Sequence, residues 1–134
     1  MRGMVLDCSA VMAWFFEDER DADALRLIDA LGSVRAHVPS LWPYEIANVM
    51  LVAERRGRLK PASITDGMNA IEALDIVIAP GKMIERELIS LARQNNLSVY
   101  DASYLALARH MRLPLATRDN ALKRAAQAVG VKLF

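Results

Sequence analysis

Five short apolar runs punctuate this chain, at residues 3–6, 34–38, 75–78, 113–117 and 131–134, and segments with helical periodicity fill the intervals between them. That alternation constrains the fold more than any other feature. A strand that hands over to a helix rejoins its sheet by a right-handed crossover, so the strands run parallel and helices flank the sheet. The expected architecture is therefore α/β, with three layers (α/β/α) around a mostly parallel five-stranded sheet. A chain of 134 residues fits one domain spanning 1–134 with a real core.

Local signals set the expected boundaries. The first run ends at Asp7, and Ser9 is placed to cap a helix through Trp14, Phe15 and Phe16. Ala22, Leu25, Ile28 and Leu31 repeat at helical spacing until Gly32. Residues 34–38 alternate as a strand, and Pro39 ends it. Ser40 is the expected cap of a long helix to about residue 56, with Leu41, Ile46, Val49, Met50 and Ala53 among its apolar positions and Gly57 closing it. A further helix over 64–74 precedes the third strand, so two helices separate the second and third strands. Pro80-Gly81 turns into a helix over 83–94, and Asn95-Asn96 terminates it. Asp101 caps or begins the next helix, with Leu105, Ala108 and Met111 on one face. A last helix over 121–129 follows Asp119 and stops at Gly130.

Four acids fall where such a fold can gather them: Asp7, Glu45, Asp101 and Asp119. Open α/β sheets bind ligands at the carboxyl ends of their strands, where strand order reverses. Asp7 follows the first strand, and Thr117 and Asp119 follow the fourth. Glu45 lies one turn into the helix after the second strand, with Asn48 three residues on along the same face. No clear strand delivers Asp101. Converging carboxylates raise one another's pKa and cost stability, and the usual remedy is a bound divalent cation. Carboxylate oxygens suit Mg²⁺ or Mn²⁺, and one or two such ions can activate water and stabilise the leaving oxygen of a phosphodiester. Ser9 and Thr117 are placed to support the site. The competing reading is helix capping for Ser9, Asp101 and Asp119, which accounts for each singly but not for four acids meeting.

Zinc lacks support, because His37 sits in a strand and His110 in a helix without a second ligand at metal spacing. The single cysteine, Cys8, excludes an internal disulfide and fits a reducing compartment. Its neighbour Asp7 would blunt it as a nucleophile. No apolar stretch approaches the length of a membrane span. The first residues lack a long apolar region and a cleavage site, so the expected location is cytoplasmic. The net charge of +1 says little, but its distribution is polar. Residues 17–23 read EDERDAD, residues 55–60 read RRGRLK, and from Leu105 onward six Lys or Arg residues face one acid. Such polarity can steer a polyanion to one side.

Phosphate loops, dinucleotide fingerprints and nucleophile elbows are all missing from the sequence. Asp7-Cys8-Ser9 also lacks the second aspartate of a haloacid dehalogenase-type phosphatase. The pattern that is present resembles the PIN-domain ribonucleases, specifically the VapC-type toxins of type II toxin–antitoxin systems. The resemblance is carried by VLDCSA at 5–10, PSLWPYEIANV at 39–49, YDASYLALA at 100–108 and LATRDNAL at 115–122. Each piece is weak alone; their order and spacing over nearly the whole chain are specific.

The resemblance implies a single PIN domain with Mg²⁺- or Mn²⁺-dependent endonuclease activity on RNA. Asp7, Asp101 and Asp119 would chiefly hold metal, and Glu45 would bind a second ion or position water. It also supplies the placement that Asp101 lacks. It implies a small antitoxin over the active-site groove and a homodimer or higher assembly. Trp14, Phe15, Phe16, Trp42 and Tyr44 are candidates for the apolar part of that groove. The rival readings are a PIN-like nuclease of RNA processing, a non-catalytic PIN-fold binding module and a small metal-dependent phosphatase.

Overall fold

Met4, Val5 and Leu6 form strand β1 (Met4–Leu6), and all three are fully buried. In this computed structural model, which describes residues 2–81 and 83–134, β1 lies inside a four-stranded parallel sheet. Its companions are β2 (Ala36–Val38), β3 (Ile76–Ile78) and β4 (Leu115–Ala116), in the order β3-β2-β1-β4. Met4 pairs with Ala36, Val5 with both His37 and Leu115, and Ala36 with Ile76. Strand order reverses between β1 and β4, which puts a ligand-binding crevice at the carboxyl ends of those two strands.

The fifth apolar run does not become a strand. Residues 131–134 contribute one parallel bridge, Leu115 to Leu133, so the sheet has four strands rather than the expected five. β4 itself is only two residues long, and the last run meets it at Leu115 alone. Just past it, Thr117 turns its hydroxyl toward Asp7.

The helices are α1 (Ala22–Leu31), α2 (Trp42–Arg55), α3 (Pro61–Glu72), α4 (Glu85–Asn95), α5 (Val99–Met111) and α6 (Asn120–Ala128). The segment after β1 is a 3₁₀ helix, Cys8–Trp14, not an α-helix, and Ser9 does not cap it. Ser9 is drawn off to Asp7 instead. Neither does Ser40 cap α2, whose N-cap position is Leu41. Pro43 fixes the entry to that helix without needing a donor. Asn96 ends α4 in the left-handed conformation, as a helix-terminating asparagine does.

α5 is the most buried helix. Residues 102–108 are buried without a break, so its apolar surface is not the single face that Leu105, Ala108 and Met111 suggest. Small side chains on all sides let it pack against β1, α4 and α6 at once. On the other flank the 3₁₀ segment packs against α1, α2 and α3. Gly67 makes the last of these contacts feasible, because a Cβ there would overlap the Phe15 ring. Phe15, Phe16 and Trp42 are thereby core residues.

Candidate active site

Asp7 leaves the end of β1 and is 5% exposed. Its backbone N–H continues the ladder to the carbonyl of Ala116 at 3.0 Å. Two hydroxyls converge on one of its side-chain oxygens: Ser9 Oγ donates to Oδ2 at 2.6 Å and Thr117 Oγ1 at 2.7 Å. With both protons spent on Asp7, the Ser9 and Thr117 oxygens, 3.2 Å apart, are neighbours and not partners. The same two oxygens then accept backbone N–H groups, Ser9 from Arg118 at 2.9 Å and Thr117 from Asp119 at 3.0 Å. The loop after β4 is thus tied to the end of β1 by side chains where the ladder stops.

Asp119 is the N-cap of α6 and accepts from the Leu122 N–H at 2.9 Å. The capping expected of Asp119 is therefore seen. Asp101 does not cap α5. Ser98 does, accepting from the Asp101 N–H at 3.1 Å. That leaves the Asp101 carboxylate in the first turn of the helix, half-buried, where the helix dipole favours an acid. Glu45, in the first turn of α2, is also half-buried and accepts a hydrogen bond from the Tyr104 hydroxyl of α5.

Asp7, Glu45 and Asp101 each feel the charge of others among the four acids. Burial pushes the Asp7 carboxyl above its ordinary value, three hydrogen bonds pull it back, and the Asp119 charge adds to the rise. Glu45 is raised by burial, with the Tyr104 bond opposing and the charges of Asp7 and Asp101 adding. Asp101 is raised by burial and by Asp7 and Asp119. No lysine, arginine or histidine forms an ion pair with any of the four among the described residues. A set of hard oxygen donors without a cation suits Mg²⁺ or Mn²⁺ chemically. The acids are coupled but not drawn into a closed cage: among the described residues, no three His, Cys, Asp or Glu side chains already stand as a ready-made metal site.

The remaining sequence expectations divide. Asn48 shares α2 with Glu45 but is exposed. Cys8 is buried, and burial first, then the charges of Asp7 and Glu45, pushes its thiol up to about 12, which leaves it inert as a nucleophile. His110 pairs with Glu87 at 2.8 Å, and His37 lies within β2. Of the five aromatics offered for a partner groove, Phe15 and Phe16 are packed inside, Trp14 is half-buried against the core and Tyr44 stands 79% exposed. Trp42 and Pro43 do line an apolar groove, of about 620 Å³, with Ile46, Met50, Met68 and Ile78.

Two residues were not singled out by the sequence reasoning. Tyr104 is one; its signal is a tyrosine inside an otherwise apolar, small-residue helix, where a buried phenol needs a partner. Arg118 is the other. It reaches from the site loop to grip Asp21 in a two-pronged pair at 2.9 and 2.7 Å, while Asp21 also caps α1. Part of the acidic 17–23 run therefore anchors the loop that carries Thr117 and Asp119.

Comparison with known proteins follows the same outline. The model of the PIN domain matches residues 4–128. The chain is 30% identical over 124 residues to Ribonuclease VapC3 of Pyrobaculum aerophilum, covering 89% of this chain and 91% of that one. It is 34% identical over 128 residues to Ribonuclease VapC9 of Mycobacterium tuberculosis, covering 93% and 92%. Among solved structures, that of PAE2754 from Pyrobaculum aerophilum has a TM-score of 0.68 at 23% identity, over 92% of this chain and 78% of that one. A toxin–antitoxin complex from Klebsiella pneumoniae has a TM-score of 0.57 at 19% identity, over 87% and 86%. At these identities the structural likenesses speak for the fold alone.

Proposed function

The chain belongs to the PIN-domain family, and we propose that it is a divalent-metal-dependent endoribonuclease, the toxin of a toxin–antitoxin pair. The observation that carries the reading is Asp7. It is a buried carboxylate at the switch point of the sheet, held by two hydroxyls and forming no ion pair with a basic side chain among the described residues, and Glu45, Asp101 and Asp119 each interact with its charge. Structural acids do not gather this way without recompense, because each burial raises the cost of the others. The curated relatives are named ribonucleases, which supplies the substrate class.

In this proposal Asp7, Asp101 and Asp119 hold Mg²⁺ or Mn²⁺, and Glu45 holds a second ion or orients the attacking water. The chemistry such a cation supplies when bound is polarisation of water and of a phosphate oxygen. Ser9 and Thr117 keep Asp7 turned toward the crevice, and the α5 dipole supports the ionised Asp101. A water oxygen attacks phosphorus in line, the bond from phosphorus to the 3′ oxygen breaks, and that oxygen leaves with a proton. The products are a 5′-phosphate and a 3′-hydroxyl.

A small antitoxin as partner, and a homodimer or larger assembly, belong to the same proposal; one of the structural neighbours is itself a toxin–antitoxin complex. No helix among the described residues is long and apolar enough to cross a membrane. The test is chemical. An RNA carrying a single 2′-deoxyribose at the cleaved linkage is expected to be cut with Mn²⁺ and to yield a 5′-phosphate, because water and not the 2′-hydroxyl is the nucleophile. Loss of cleavage at that linkage, or a 2′,3′-cyclic phosphate from ordinary RNA, contradicts the reading.

A further inference from the structure

Tyr104 lies on α5, three residues beyond Asp101, and is fully buried. Its buried neighbours on that helix are Ala102, Ser103, Leu105, Ala106, Leu107 and Ala108; the one hydroxyl among them, that of Ser103, is turned back to the Tyr100 carbonyl. Packing alone would be served by phenylalanine, which fills nearly the same volume. The hydroxyl is therefore the part that packing does not require, and its partner is an acid on a different helix: it donates to Oε1 of Glu45.

Glu45 needs such a partner. Its side chain is long and rotamer-rich, so left alone it pays little to swing outward. The negative charges of Asp7 and Asp101 favour that swing, and so does water, since the residue is only half-buried. A donor fixed inside the core opposes both. Tyr104 has little freedom of its own there, being fully buried on a helix packed against β1, β4, α4 and α6. Asp101 and Tyr104 share one face of α5, three residues apart. One rigid helix thus presents one acid of the site and holds another.

We propose that Tyr104 is a positioning residue, whose hydroxyl holds Glu45 inward beside Asp7 and Asp101 against their repulsion and so preorganises it for a divalent cation. The inference rests on the nuclease reading above and adds to it a residue outside the acidic set. Glu45 is kept in place by a bond from the core, not by the loop that orders Asp7.

The experiment compares the wild-type chain with Tyr104→Phe, Glu45→Gln and the double variant. Mn²⁺ binding is counted by electron paramagnetic resonance, RNA cleavage is followed across an Mn²⁺ titration, and folding is checked by circular dichroism. Tyr104→Phe keeps the ring, so a purely structural role predicts no change in Mn²⁺ affinity. The expected result is a folded variant with Mn²⁺ affinity about 10-fold weaker, the lower end of what outer-shell partners contribute. On the Glu45→Gln background the same substitution is expected to add nothing further. Unchanged Mn²⁺ affinity in Tyr104→Phe, or an equal loss on both backgrounds, overturns the inference while leaving an active wild type. A wild type that neither binds Mn²⁺ nor cleaves RNA overturns the nuclease reading and this inference with it.

Discussion

Thr117, at the end of the fourth strand, donates a 2.7 Å hydrogen bond to Asp7 at the end of the first, across 110 positions of sequence. The bond joins the two strands at the point where the sheet reverses its order, and a second hydroxyl, Ser9, meets the same carboxylate oxygen. The loop carrying Asp119 is thereby fixed to the strand carrying Asp7 by the groups that also orient Asp7.

Thr117→Val keeps the shape and removes the hydroxyl. Asp7 then loses one of its two hydroxyl donors and the Asp119 N–H loses its acceptor. Stability is expected to fall by about 1–3 kcal/mol, the cost of stranding buried polar groups. The Mn²⁺ concentration for half-maximal cleavage is expected to rise about 10-fold. Denaturant unfolding and a metal titration check the two separately.

The raised carboxyls make a pH prediction with a definite sign. Asp7, Glu45 and Asp101 all stand above their ordinary values of 3.8, 4.5 and 3.8, burial being the first cause in each. The folded chain therefore keeps protons that the unfolded chain has released, and the stability from these groups is full below their ordinary values and lost as pH rises through the raised ones. The metal-free protein should melt at a lower temperature at about pH 8 than at about pH 5, and Mg²⁺ should offset the loss by binding the folded state. Asp101→Asn should flatten the slope. Asp21, held well below its ordinary range by the Arg118 guanidinium, works the other way, but only at more acid pH.

Asp21 does two things that substitution can separate. Its Oδ1 caps α1 through the Ala24 N–H, and its two oxygens grip Arg118. Asp21→Asn keeps the cap and loses the charge pairing; Asp21→Ala loses both. Melting temperatures should fall in the order wild type, Asn, Ala. Cleavage should fall in both variants, because Arg118 sits between Thr117 and Asp119 and its release loosens that loop.

Gly67→Ala tests the packing beneath the site. The added Cβ would run into the Phe15 ring, so α3 and the 3₁₀ segment must part. The expected loss is about 1–3 kcal/mol, typical of overpacking, with normal cleavage at low temperature. Calorimetry and a cold activity assay measure it.

Much of this was legible because short parallel strands are written plainly: Val5 and Leu6 before Asp7, and Ile76 to Ile78 after Asp75, can hardly be anything else. The run at 131–134 looks the same, yet only Leu133 pairs, since β4 ends before a ladder can form. Capping was the harder problem. Ser9 and Ser98 are both serines near helix starts; Ser9 turns back to donate to Asp7 two residues before it, whereas Ser98 caps α5. Asn48 shares a helical face with Glu45 by spacing, but only Glu45 finds a partner in the core, so Asn48 stays exposed. The Glu45–Tyr104 bond spans 59 positions, and nothing in local pattern announces a contact of that range.

The central claim is that Asp7 and Asp101 serve a metal-dependent cut in RNA. The direct measurement incubates the antitoxin-free protein with total RNA in Mg²⁺ or Mn²⁺, beside Asp7→Asn and Asp101→Asn and beside wild type in excess EDTA. The account predicts cleavage by wild type alone, abolished by either substitution and by the chelator. Cleavage that survives both substitutions, or survives EDTA, contradicts it.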